Sequence, residues 1–144
     1  MWAGTIVIRK AVTQAEARQA GAARLPFATG IIICNGREVL RLMEAGDFAE
    51  YPVRPDLVRF VSVLPRMPRF APPVPFDLPA GEKRWLVKVV GRHGRFVLGL
   101  YRREMKAIQA LGGLDRALGA QATTRNWNTM MAIARVLGWR GGGK

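Results

Sequence analysis

The stretch WLVKVVGRHGRFVLGLY, residues 85–101, carries the firmest structural signal in the chain. Two runs rich in Val, Leu and aromatic residues, 85–90 and 95–101, flank Gly91, Arg92, His93 and Gly94, with a glycine at each end of the turn. Short β-prone runs around such a turn predict a β-hairpin. In the second run Phe96, Leu98 and Leu100 fall on one face of the pleat, leaving Arg95, Val97, Gly99 and Tyr101 on the other.

Upstream, residues 57–64 are apolar and β-branched and predict a strand, entered through Pro52 and Pro55 and ended by Pro65. Before it, Asn35 predicts the cap of a helix over 36–45. Val39, Leu40 and Met43 recur there at helical spacing, and Gly46 stops the helix. Residues 5–9 and 30–34 read as strands and 12–23 as a helix. Between 65 and 81 the chain holds Pro65, Pro68, Pro72, Pro73, Pro75 and Pro79, which predicts an extended surface loop, held by Phe70 and Phe76. Downstream, a helix starts near Glu104, is broken or bent at Gly112 and Gly113, and resumes to Leu118. Thr123 or Thr124 then caps a last helix whose Trp127, Met130, Met131, Ala134 and Leu137 form a buried stripe ended by Gly138. This order predicts an α+β, ferredoxin-like sandwich with a mixed sheet, helices on one face and a C-terminal helix pair. Residues 1–140 form a single domain: a leading strand and helix over 1–29, a core over 30–140, and a flexible tail over 141–144.

The length of 144 residues suits one core, and 49% hydrophobic with 23% charged residues excludes wholesale disorder. The longest uncharged stretch, 25–36, is too short for a membrane span. With one cysteine, Cys34, and one histidine, His93, no internal disulfide and no four-ligand zinc set can form. A reducing cytoplasmic location is the expectation. Residues 1–56 carry seven Lys/Arg against six Asp/Glu, whereas 57–144 carry sixteen against four, so the formal charge of +13 lies almost wholly in the second part. The densest piece, 83–106, predicts a surface that faces a polyanion, most plausibly nucleic acid.

The segment Thr123-Thr124-Arg125-Asn126-Trp127-Asn128-Thr129 before an apolar helix resembles the closing signature of an uncharacterised bacterial family, the "DUF sixteen ninety-seven" domain of unknown function. The resemblance spans about residues 28–138 and is specific at 123–129. It implies the second, C-terminal half of a tandem of two ferredoxin-like halves. The glycine-rich opening of the family's first half has no counterpart here, and a helix usual after the third strand is replaced by the proline segment. The family being uncharacterised, the resemblance implies a fold and no activity.

No catalytic constellation stands out. Ser62 is the only serine and sits within a strand, and Cys34 reads as a small buried hydrophobe. Glu38, Glu44, Asp47 and Glu50 read as solvated charge, and no phosphate-cradling glycine loop is present. The hairpin lacks the aromatic pattern of RNA-recognition modules, yet Lys88, Arg95 and Tyr101 on one face would neutralise phosphates and stack a base. The nucleic-acid candidates are thus Lys88, Arg92, Arg95, Tyr101, Arg102 and Arg103. A second candidate is an anion site at the start of the last helix, formed by Arg125, Asn126, Asn128 and Thr129, where free N–H groups suit a phosphate or carboxylate. The reading is a non-enzymatic polyanion-binding module without cofactor or metal. Its alternatives are a small-anion protein or enzyme with a site at 124–129, and an interaction module or homodimer that pairs through an edge strand.

Overall fold

The computed structural model describes residues 34–68 and 72–140. The leading elements expected over 5–9, 12–23 and most of 30–34, together with Phe70 and the tail over 141–144, lie outside the described residues. The first described element is helix α1, Gly36–Ala45. Its Asn35 cap accepts a hydrogen bond from the Arg37 N–H at 2.9 Å while Glu38 accepts one from the Asn35 N–H at 3.2 Å, so two otherwise orphaned donors are satisfied reciprocally. Gly46, in the left-handed region, ends it as expected.

Five strands follow in one antiparallel sheet: β1 (Leu57–Val63), β2 (Phe76–Leu78), β3 (Val87–His93), β4 (Phe96–Arg102) and β5 (Thr123–Asn126). Their spatial order is β2-β3-β4-β1-β5. Helix α2, Met105–Leu118, joins β4 to β5, and helix α3, Trp127–Val136, follows β5 directly.

The hairpin forms as expected, but its turn is tighter. His93 pairs with Phe96, so the two-residue connection is Gly94–Arg95, with Gly94 at φ 60°. That conformation suits glycine and the twist of a two-residue hairpin. Gly91 lies inside β3, beside a register shift at Val90. The proline segment also differs from a plain loop, because Phe76–Leu78 pairs with Val87–Val89 as the outer strand on that side of the described sheet. Three residues between prolines can still donate to one neighbour, which is why proline-rich chain survives at an edge and not within a sheet.

Alternation along β1 and β4 divides the interior in two. Val61, Val63, Phe96, Leu98 and Leu100 face Val39 and Leu42 of α1 and Met130 and Ala134 of α3. Phe60, Val87, Val89 and Val97 face the other way, against Leu114 and Leu118 of α2. Helices therefore cover both faces of the sheet, and α2 and α3 are not a pair but lie on opposite sides. The expectations of a mixed sheet, of helices on one face and of a C-terminal helix pair are corrected accordingly. The residues describe an α+β fold with an antiparallel sheet, and they do not establish ferredoxin-like wiring. The reason is visible in β1, where residues of both parities are buried: Val58, Phe60, Val61, Ser62 and Val63. A strand apolar on both faces needs cover on both.

Helix α2 is continuous through Gly112 and Gly113, so of the expected break or bend the break does not occur. Glycine costs about 1 kcal/mol in a helix interior, and that is offset by burial of Ala107, Leu114 and Leu118 on one face. The fully buried Ser62 hydroxyl meets the Thr124 hydroxyl at 2.7 Å across the β1–β5 pair, satisfying the one buried polar residue among the described residues.

Phe60 lies directly opposite Gly99, with its ring on the glycine. A Cβ placed on Gly99 would stand 2.6 Å from the Phe60 Cζ and 2.6 Å from the Lys88 carbonyl oxygen, and the second of these is backbone that cannot yield. Gly99→Ala is expected to cost about 1–3 kcal/mol through overpacking, read as a lower denaturant midpoint with an unchanged m-value; an unchanged midpoint would refute the account.

Candidate functional site

The strand order brings separate basic segments to one end of the sheet. The starts of β1 and β3 and the end of β4 lie together, since Leu57 pairs with Arg102 and Val87 with Tyr101. Around them stand Arg54, Arg59, Lys83, Arg84, Lys88, Arg102, Arg103 and Lys106, against the acids Asp56, Asp77, Glu82 and Glu104.

Direct contacts join most of these residues into one cluster. The Lys88 Nζ donates to Asp77 at 2.7 Å and lies 5.2 Å from the centre of the Trp85 ring. The Arg102 guanidinium stacks 4.3 Å from the same ring, donates from Nε to the Trp85 carbonyl at 2.6 Å, and lies 4.0 Å from Asp56. Arg54 grips Asp56 with two bonds of 2.9 and 2.7 Å. Arg103 donates to the Pro55 carbonyl, and Arg84 makes a two-bond pair with Glu104 at the start of α2. That pair lowers the Glu104 carboxyl below its ordinary range, chiefly through the hydrogen bonds from Arg84. Lys83 and Lys106 are exposed.

Arg59 was not singled out by the sequence reading, although it is the one charged residue within 57–64. It shares the parity of Val61 and Val63, so it lies on the α1/α3 face. Its Nη2 donates to the Tyr51 carbonyl at 2.6 Å, and its guanidinium sits 5.1 Å from the centre of the Phe48 ring. Desolvation by burial lowers its pKa.

The expected hairpin face does not assemble. Lys88 pairs with Leu100 and lies on the α1/α3 face, whereas Tyr101 packs on Phe60 on the α2 face, ring centres 5.9 Å apart. Successive strand residues point to opposite faces, and Lys88 and Tyr101 occupy positions of opposite parity in their pairing. Arg92 and Arg95 sit at the far end, around the turn. Arg92 contacts the Gly94 carbonyl at 3.4 Å, and Arg95 reaches the carbonyls of Leu64 and Pro65 and the Cys34 Sγ. Of the six nucleic-acid candidates, the structure gathers Lys88, Arg102 and Arg103.

The second candidate is rearranged as well. Thr123–Asn126 is strand β5, so Asn126 and not a threonine caps α3, its Oδ1 accepting the Asn128 N–H at 2.7 Å. Thr124 serves the sheet through Ser62. Arg125 precedes the cap instead of following it; it pairs with Val61 in the sheet and donates to the Thr124 carbonyl at 3.3 Å. Asn128 and Thr129 are exposed on the first turn of α3. Trp127 is half-buried rather than fully enclosed, meeting the Phe48 ring edge-on at 5.0 Å. Local capping preferences could not distinguish a threonine cap from a threonine strand, because the partner that decides it is 62 residues away.

At the other end His93 meets Asp47 at 2.7 Å, and the Asp47 carboxylate packs on Gly91 so closely that a Cβ there would have to displace it. Cys34 is half-buried beside Arg95, whose Nη2 lies 3.6 Å from its Sγ. Burial raises the thiol pKa, Arg95 opposes the shift and Glu38 adds to it. Among the described residues no group of three or more His, Cys, Asp or Glu is placed to hold a metal, and no helix is long and apolar enough to cross a membrane.

The chain matches no family model, no curated protein and no solved structure.

Because the folded thiol holds its proton more tightly, Cys34 contributes stability that is lost as pH rises past the ordinary thiol range. Alkylation of native protein at pH 8 by iodoacetamide is expected to run slower than that of the denatured chain. Arg95→Gln should slow it further, since removing a cation destabilises the thiolate. A faster reaction in the variant would contradict the assignment of Arg95.

Proposed function

We propose that this protein is a binding module, not an enzyme, and that the basic end of its sheet engages a polyanion, nucleic acid above all. One observation carries the reading. Cations from three stretches, 54–59, 83–88 and 102–106, stand at one end of a single sheet, eight Lys/Arg with four Asp/Glu. Several of them are tied to aromatic rings and carbonyls that hold them in place, so little side-chain entropy remains to be lost on binding. Lys83 and Lys106 extend from this frame into solvent, where they can follow a phosphate backbone. We also propose, on the residues at 123–129, kinship with the domain family named above. That kinship adds no activity.

Binding should be salt-sensitive and weakly sequence-specific, because released counterions and not base contacts would drive it. A labelled single strand and a duplex titrated at low and physiological salt test this. Lys83→Gln with Lys106→Gln should weaken binding and reduce the salt slope by about 1–2, while Tm stays nearly constant because exposed charges contribute little to stability. Arg37→Gln with Arg41→Gln, on the exposed side of α1, should leave affinity within about twofold at physiological salt, where the screening length is about 8 Å. No binding to either probe at low salt, or equal losses in the two double variants, would remove the reading.

A further inference from the structure

We propose that Asn35–Gly36 is a covalent modification site, at which the folded chain loses the Asn35 side-chain amide to the following backbone nitrogen and then to water. Opening of the α1 cap sets the rate. This is the one asparagine–glycine pair in the sequence. Glycine has no Cβ to crowd the approach of its nitrogen to the preceding side chain, whereas Asn126 and Asn128 are followed by Trp127 and Thr129.

The fold asks for both residues. Asn35 caps α1: its Oδ1 accepts the Arg37 N–H at 2.9 Å, its carbonyl accepts the Glu38 N–H at 3.0 Å, and its own N–H donates to Glu38 at 3.2 Å. At Gly36 a Cβ would stand 3.3 Å from the Leu137 Cδ2, closer than ordinary side-chain contact, so glycine lets α1 lie against the end of α3. A capping preference and a packing clearance therefore place the reactive pair at the joint of two helices. Asn35 is exposed, so hydroxide and water reach its amide. The Gly36 N–H stands in the first turn, where no carbonyl of the helix takes it.

The Gly36 nitrogen, its proton removed by solvent base, attacks the Asn35 Cγ. A C–N bond forms, the side-chain nitrogen leaves as ammonia with that proton, and a cyclic imide remains. Water then adds to one imide carbonyl and breaks its bond to nitrogen. Breaking the bond at Cγ gives aspartate at 35, whereas breaking the main-chain bond leaves the backbone running through Cβ and Cγ as an isoaspartyl link. Asp caps a helix as well as Asn does, and its charge suits the N-terminus. The isoaspartyl link inserts a methylene into the main chain and displaces the carbonyl that receives the Glu38 N–H, so the first turn of α1 loses its cap. Turning the amide onto the Gly36 nitrogen also gives up the bond from Arg37. The folded cap therefore slows the reaction without preventing it.

The test incubates the intact chain in mildly alkaline buffer, with and without urea. Mass spectrometry should find aspartate and isoaspartate in the tryptic peptide 25–37, with ammonia released in step, while Asn126 and Asn128 stay intact. The native chain should react about fivefold more slowly than the denatured one, the factor that the free energy of one cap imposes. Glu38→Ala removes one arm of the capping box and should speed the native reaction about two- to threefold, with no change in urea. Gly36→Ala should all but abolish conversion in urea as well, a measurement that does not depend on folding. The separated isoaspartyl form should melt roughly 2–4 °C below the unreacted chain, and the Asn35→Asp variant at or above it. Conversion confined to the denatured chain, or appearing first at Asn126 or Asn128, overturns the site. Equal native and denatured rates, or a slower native reaction in Glu38→Ala, overturn control by the cap.

Discussion

The fit of the Phe60 ring onto Gly99 is the constraint on which the rest of the sheet depends. The two residues are directly paired between neighbouring strands, and the missing side chain at Gly99 leaves room for the ring in the layer beneath α2. Pairing in a sheet has a period of two, so this contact also decides the facing of every other residue in β1 and β4. Val61 and Val63 are turned toward α1 and α3, and Arg59 is turned with them. A slip of one residue would place Phe60 against a side chain and send both valines to the wrong layer.

The two faces are closed by different means. On the α2 side, Leu114 and Leu118 of one helix cover Phe60, Val87, Val89 and Val97. On the opposite side, α1 and α3 supply Val39, Leu42, Met130 and Ala134. Toward the starts of β1 and β3, Phe48, Tyr51 and Trp85 lie over the sheet with the stems of Arg59, Lys88 and Arg102. Long cationic side chains can cover apolar surface with their methylenes while their heads remain near water. Leu100 is only 1% exposed beneath this layer. The residues that seal the core at this end are therefore also those that make its surface positive, so packing and charge are coupled in one place.

The signals legible along the chain are local. The helix after Asn35, its stop at Gly46, the strand at 57–63 and the alternation of Phe96, Leu98 and Leu100 against Val97 each follow from signals within a few residues of the element they specify. The excess of cations after residue 56 is likewise written in composition. How these pieces meet was settled by packing and strand pairing. Thr123–Asn126 carries the residues of a helix cap, yet its pairing with β1 made it a strand and moved the cap to Asn126. Lys88 and Tyr101 looked like members of one surface, but strand pairing put them on opposite faces. The order β2-β3-β4-β1-β5 set Arg54 and Arg59 beside Arg84 and Arg102, a neighbourhood that no count along the chain contains. Backbone preference and side-chain period act over one turn or one pleat, whereas strand register is chosen by burial among residues tens of positions apart.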